Sequence, residues 1–104
     1  MNEITYQQIE RKINNVEHPE IASTLKELGM IKDVILNEEE NTISVTLVLP
    51  MMTIPVEIRD MLVNLIVQAL RQLGTTYNLK IYLAEMNDEQ REKFFSLSKQ
   101  NWKL

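Results

Sequence analysis

The sequence predicts an α+β domain. It has a small sheet containing an antiparallel hairpin, with helices packed mainly on one face, in the order α-(short α)-β-β-α-β-α. Three features predict it. Ile43, Val45, Leu47 and Leu49 alternate with Thr42, Ser44 and Thr46, the period of a strand with one buried face. Asn37 to Asn41, acidic and with asparagine at both ends, joins that strand to an earlier β-branched segment as a hairpin. Beyond Pro55, residues Ile58, Leu62, Leu65, Ile66, Ala69, Leu70 and Leu73 recur at three- and four-residue steps, the apolar arc of a helix laid across a sheet.

The 104 residues fit one domain, with a core over about 6–84 and a C-terminal helix and tail over 87–104. An apolar fraction of 44% is that of an ordinary globular protein. A net charge of −4 gives no nucleic-acid footprint. No apolar run approaches the ~20 residues of a membrane span, and no signal-peptide pattern is present, so a cytoplasmic protein is expected. Without cysteine the chain has no disulfide, thiolate ligand or cysteine nucleophile.

The elements follow in order. Thr5-Tyr6-Gln7-Gln8 has the form of a capping box, and Tyr6, Ile9, Ile13 and Val16 continue at helical spacing, so a first helix runs from about Tyr6 to Asn15. Glu3, Glu10, Arg11 and Lys12 form its wet side. His18-Pro19 breaks it, because the residue before proline avoids the helical region. His18 with Glu17 and Glu20 is a poor metal set, one imidazole and two adjacent carboxylates, and reads as an exposed turn residue. Ala22 to Leu28 can form a short helix that Gly29 ends. Met30 to Leu36 is the first strand. Glu38, Glu39 and Glu40 are solvated loop charge rather than a calcium loop.

Pro50 ends the Thr42–Leu49 strand by removing a backbone donor. Pro55 suits the start of the long helix, and Gly74 suits its stop. Leu79, Ile81 and Leu83 alternate with Lys80 and Tyr82 as a third strand. Asn87 or Asp88 caps a last helix, Glu89 to about Ser98. Phe94, Phe95 and Trp102 place much of the aromatic surface in this terminal segment, which either docks and completes the core or forms a contact surface.

Between strand and helix lies an apolar loop, Met51, Met52, Thr53 and Ile54. Methionine is adaptable and common on surfaces that accept varied partners. Arg59 interrupts the apolar arc in the first turn of the helix. Either its stem packs on the core edge with its head in water, or it offers a cation beside the loop to an anion or a partner carboxylate. The candidate partner-binding set is therefore Met51, Met52, Thr53, Ile54 and Arg59, with Phe95 and Trp102 from the tail. Catalysis is not expected. There is no Gly-rich phosphate loop, no nucleophile elbow and no metal-spaced cluster, and the chain holds only 2 glycines.

Three stretches resemble a family of small domains used in iron–sulfur cluster assembly. His18-Pro19-Glu20-Ile21 resembles its Asp-Pro-Glu-Leu/Ile turn. Glu27-Leu28-Gly29-Met30-Ile31-Lys32-Asp33-Val34 resembles its (Asp/Ser)-Leu-Gly-(Leu/Met)-Ile/Val-x-Asp-Val segment. Val45 to Leu49 followed by Pro50-Met51-Met52-Thr53-Ile54-Pro55 resembles its strand and Thr-Thr-Pro-x-Cys-Pro loop. The family includes SufT- and PaaD-like proteins and the N-terminal domain of many Mrp/ApbC carrier ATPases. The similarity spans roughly Tyr6 to Leu83. The sequence departs from the pattern at the loop, where Ile54 stands at the cysteine and Pro50, Met51 and Met52 at Thr-Thr-Pro, and at the first turn, where His18 stands at the acid.

The resemblance implies an accessory or adaptor protein of iron–sulfur cluster assembly or maturation, acting by binding a carrier ATPase, a scaffold or a client protein. It implies no cofactor bound by this chain alone. A cluster would be held only if a partner supplied the ligands, because clusters need thiolate-class donors and Ile54 offers none. The other reading is a stand-alone interaction or homo-oligomerisation module of the same fold. An exposed apolar loop and a free sheet edge would serve a homodimer equally well.

Overall fold

The computed structural model describes residues 4–102, so Glu3, expected on the wet side of the first helix, lies outside the described residues. Its elements are α1 (Tyr6–Asn14), β1 (Ile31–Asn37), β2 (Thr42–Leu49), α2 (Val56–Arg71), β3 (Asn78–Glu85) and α3 (Asp88–Gln100). The expected α+β class is the observed one, and the sheet is three-stranded in the order β1-β2-β3. β1 pairs antiparallel with β2, and β3 pairs parallel with β2.

Local chemistry explains the element ends. Thr5 and Gln8 close the capping box of α1 reciprocally, and Asn87 and Gln90 do the same for α3. In the hairpin turn the Glu40 N–H donates to Asn37 Oδ1 at 3.1 Å, and Asn41 takes the left-handed conformation (φ 56°). Pro55 is the N-cap of α2, one residue outside the helix, where its carbonyl accepts the first N–H groups, from Ile58 and Arg59. Gly74, at φ 69°, lets the chain leave α2 for β3.

β2 occupies the centre of the sheet, and its alternation places Ile43, Val45, Leu47 and Leu49, all fully buried, on the helix-covered face. Leu79 and Ile81 on β3 stand beside Ile43 and Val45 and extend that face. From the helix side come Ile9 and Ile13 of α1 and Leu62, Ile66 and Leu70 of α2. Each such aliphatic contributes roughly 1.5–3 kcal/mol by leaving water, so this layer supplies most of the driving force for folding. Ile35 and Tyr82, on the opposite face, are exposed.

The short helix expected over Ala22–Leu28 does not form; the segment runs in turns. The Ala22 N–H donates to the Asn101 carbonyl at 2.6 Å and the Ser23 N–H to the Ile21 carbonyl at 2.7 Å, so both amides are engaged outside any helix. What remains is one closed turn, with the Leu28 N–H on the Thr24 carbonyl and Gly29 stopping it at φ 77°. So short a run cannot offset the cost of helix nucleation.

The tail docks at the end of the sheet. Trp102 and Ile21 form an isolated antiparallel bridge, and Asn101 Nδ2 donates to Ser23 Oγ at 3.1 Å. Phe94 is buried in the same core cluster as the sheet, whereas Phe95 and Trp102 stay 43% and 46% exposed. The segment therefore both completes the core and leaves an aromatic surface. His18, expected to be an exposed turn residue, is buried with 7% of its surface exposed; its N–H donates to the Ser23 carbonyl at 3.0 Å, its Nδ1 accepts from the Glu20 N–H, and Trp102 lines the same cavity.

Candidate functional site

Three chain segments meet where β2 ends. Pro50 leaves the strand, and its carbonyl accepts a 2.7 Å hydrogen bond from Nε of Arg91 on α3. A second nitrogen of that guanidinium donates to the Met86 carbonyl at 2.9 Å, and a third pairs with Asp88 at 2.8 Å. Met52 is held from the other side, its N–H donating to the Glu85 carboxylate at 3.3 Å. The loop is thus tied to both ends of the β3–α3 connection.

These ties frame a cavity of about 230 Å³. Ile54, Pro55, Ile58 and Leu62 form one wall, along the loop and the first turns of α2. Phe94, Phe95, Ser98 and Trp102 form the wall from α3 and the tail. His18, Glu20 and Ile21 close the third side, with Met30 and Pro50 between them. Met30, Leu62 and Phe94 are buried and lie deep, while Ile58, Phe95 and Trp102 are exposed at the rim.

The buried polar side-chain atoms of the cavity are committed to the fold. Ser98 Oγ donates to the Phe94 carbonyl at 2.7 Å, and His18 Nδ1 accepts from the Glu20 N–H at 3.0 Å. Among the described residues every buried side-chain nitrogen and oxygen has a partner, and no group of three metal-ligating side chains exists. The resolved titration shifts lie elsewhere. The Glu10 carboxylate accepting from Tyr6 raises that phenol, and the Thr24 backbone N–H, then its hydroxyl, lowers Glu27. The cavity offers shape and apolar surface. At about 230 Å³ it is smaller than the ~300–1,000 Å³ typical of small-molecule pockets, a volume that one or two apolar side chains would fill.

Of the residues singled out from sequence, Ile54, Phe95 and Trp102 come together on this cavity. Met51, Met52 and Thr53 lie on the loop outside it, Met51 half-buried and the other two exposed. Arg59 is also outside the cavity lining. Its head is partly in water and pairs with the neighbouring Asp60 at 3.3 Å. The cation that touches the loop is Arg91. Sequence reasoning missed Arg91, His18, Ile21 and Ile58 as site residues. The signal for Ile58 was present, since it belongs to the apolar arc yet sits in the first turn, beyond the end of the sheet. His18 and Ile21 were marked only as part of the turn that resembles the cluster-assembly family, and nothing local marked Arg91.

Comparison with protein-family models, with curated proteins and with solved structures gave no match to this chain. No helix among the described residues is long and apolar enough to cross a membrane.

Proposed function

We propose that this protein acts by binding another protein at the cavity between the Pro50–Pro55 loop and the α3 tail, as an adaptor in iron–sulfur cluster assembly or maturation. One observation carries the reading. The three separate stretches that resemble the cluster-assembly family converge on one cavity: His18, Glu20 and Ile21 from the first, Met30 from the second, and Pro50, Ile54 and Pro55 from the third. Positions 18 and 54, where the family has an acid and a cysteine, line it together.

With imidazole and isoleucine at those positions, the site keeps a concave shape and lacks thiolate chemistry. Such a surface takes an apolar anchor residue from a partner, and buried anchors of this kind dominate binding energy at protein interfaces. Partners of the stated class are a P-loop cluster carrier, a scaffold or a client. Any cluster would be held by the partner's ligands.

Anaerobic affinity capture from the native host, read by mass spectrometry, tests the pathway. Enrichment of cluster carriers or desulfurase components by the wild type, lost with Ile54→Asp, supports it. Recovery of this chain alone overturns it.

A further inference from the structure

The side of α2 turned away from α1 carries a second feature, independent of the cavity. Leu65, Gln68 and Ala69 face α1 across a cleft with Lys12, Asn15 and Val16. On the other side Val67 and Arg71 face the start of β3 around Thr75–Leu79. At about 100° per residue, Val56, Asp60 and Val63 fall on that same side. Val56 is exposed, and Val63 and Val67 are half-buried. On β3, Leu83 points to the same helix-covered face and is 38% exposed, while Tyr82 on the opposite face is 55% exposed.

β3 itself is an open edge. It pairs with β2 over eight consecutive residues without a register break, and nothing among the described residues pairs with its other side. It holds no proline and no bulge, and Lys80 is its only interior charge. Natural edges usually carry such guards. β1, the opposite edge, has one. Its register shifts between Lys32 and Ile35, and Asp33 takes φ 52°.

We propose that the β3 edge and the valine stripe of α2 form the contact of a two-fold homodimer, with a second copy of this chain as the occupant. A two-fold axis normal to the sheet pairs β3 with its mate antiparallel, and a register centred on Tyr82 sets Ile81 against Leu83 of the mate and no charge against its like. α2 connects parallel β2 and β3, which seats it over them. Two strand spacings of ~4.8 Å then separate it from its mate by about 10 Å, an ordinary helix-packing distance. The same axis runs the two helices antiparallel. It brings Asp60, which shares its carboxylate with the neighbouring Arg59 at 3.3 Å, beside the C-terminal end of the other helix, with Arg71. A surface with these opposite-signed ends complements itself.

The contact is modest. One strand edge and a helix stripe fall short of the ~20–30 residues a side of a standard interface, so the dimer forms in the micromolar range. Sedimentation velocity of the full chain from about 1 μM to 1 mM reads it. The expected result is a monomer–dimer transition that Leu83→Lys weakens at least about tenfold. Thermal melts of the dilute monomer show that the variant is folded. Asp60→Arg and Arg71→Glu each weaken association, and the double reversal restores it. A monomer throughout the range, or a dimer indifferent to Leu83→Lys, overturns the proposal. The cavity lies on the other side of α2, so that result leaves the adaptor reading standing.

Discussion

The Nε of Arg91 donates to the Pro50 carbonyl across 2.7 Å, joining the first turn of α3 to the point where β2 stops. Pro50 ends the strand by lacking a donor, and its carbonyl is buried beside the cavity, so it needs a partner. The same guanidinium satisfies the Met86 carbonyl. One side chain therefore fixes the distance between the loop and the helix that face each other across the site.

Arg91→Ala should destabilise the domain by about 2–3 kcal/mol, because it leaves two carbonyls without their charged donor. Arg91→Lys should recover only part of this, since an ammonium cannot present the planar fork that reaches both carbonyls. Urea unfolding of the three proteins, at unchanged slope, checks the order wild type, Lys, Ala.

Asp33 sits in the bulge of β1 at φ 52°. A β-branched residue is disfavoured there, so Asp33→Val should cost about 1–2 kcal/mol. Asp33→Gly, free of the steric penalty, should be neutral or stabilise by up to about 1 kcal/mol. Thermal unfolding of the pair decides whether the bulge is held against strain.

The Glu27 carboxylate accepts from the Thr24 N–H at 2.8 Å and from its hydroxyl at 3.0 Å. The backbone bond first, then the hydroxyl, holds the carboxyl below the ordinary glutamate value. A folded pKa lowered in this way adds stability that is present above the unfolded value and is lost as pH falls through the folded one. Thr24→Val should raise the Glu27 pKa part of the way and leave the backbone contribution. Side-chain carboxyl NMR titration reads the shift directly. An unchanged titration would mean that the hydroxyl contributes nothing.

The same turn shows where the sequence was legible. The Thr42–Leu73 stretch read correctly because each cue lay within a few residues: alternation in β2, proline at both loop ends and a helical repeat in α2. The Thr5 capping box, a cap at Asn87 or Asp88, the hairpin turn and the stop at Gly74 are equally local. The Ala22–Leu28 run also had local helix cues, yet Ala22 bonds to Asn101, nearly the whole chain away. Next to that contact, Trp102 is set beside Ile21. No window of sequence contains it. The cavity was legible in parts, through Ile54, Phe95 and Trp102, but not as a cavity. Its third wall and its tie through Arg91 depend on pairings between distant segments.

The cavity as a protein-binding site is the central claim, and the chain carries its own reporter, because Trp102 is the 1 tryptophan present and stands on the rim. The most direct measurement is Trp102 emission during anaerobic titration with the purified P-loop cluster carrier of the same host, using a tryptophan-free carrier variant. Wild type should show a saturable shift. Ile54→Asp, and Ile58→Asp at the exposed rim as a variant that folds, should weaken binding by about 2 kcal/mol or more, roughly thirtyfold. Arg59→Glu should reduce affinity less while leaving stability within about 0.5 kcal/mol. No binding by the wild type, or wild-type affinity in both aspartate variants, would contradict the account.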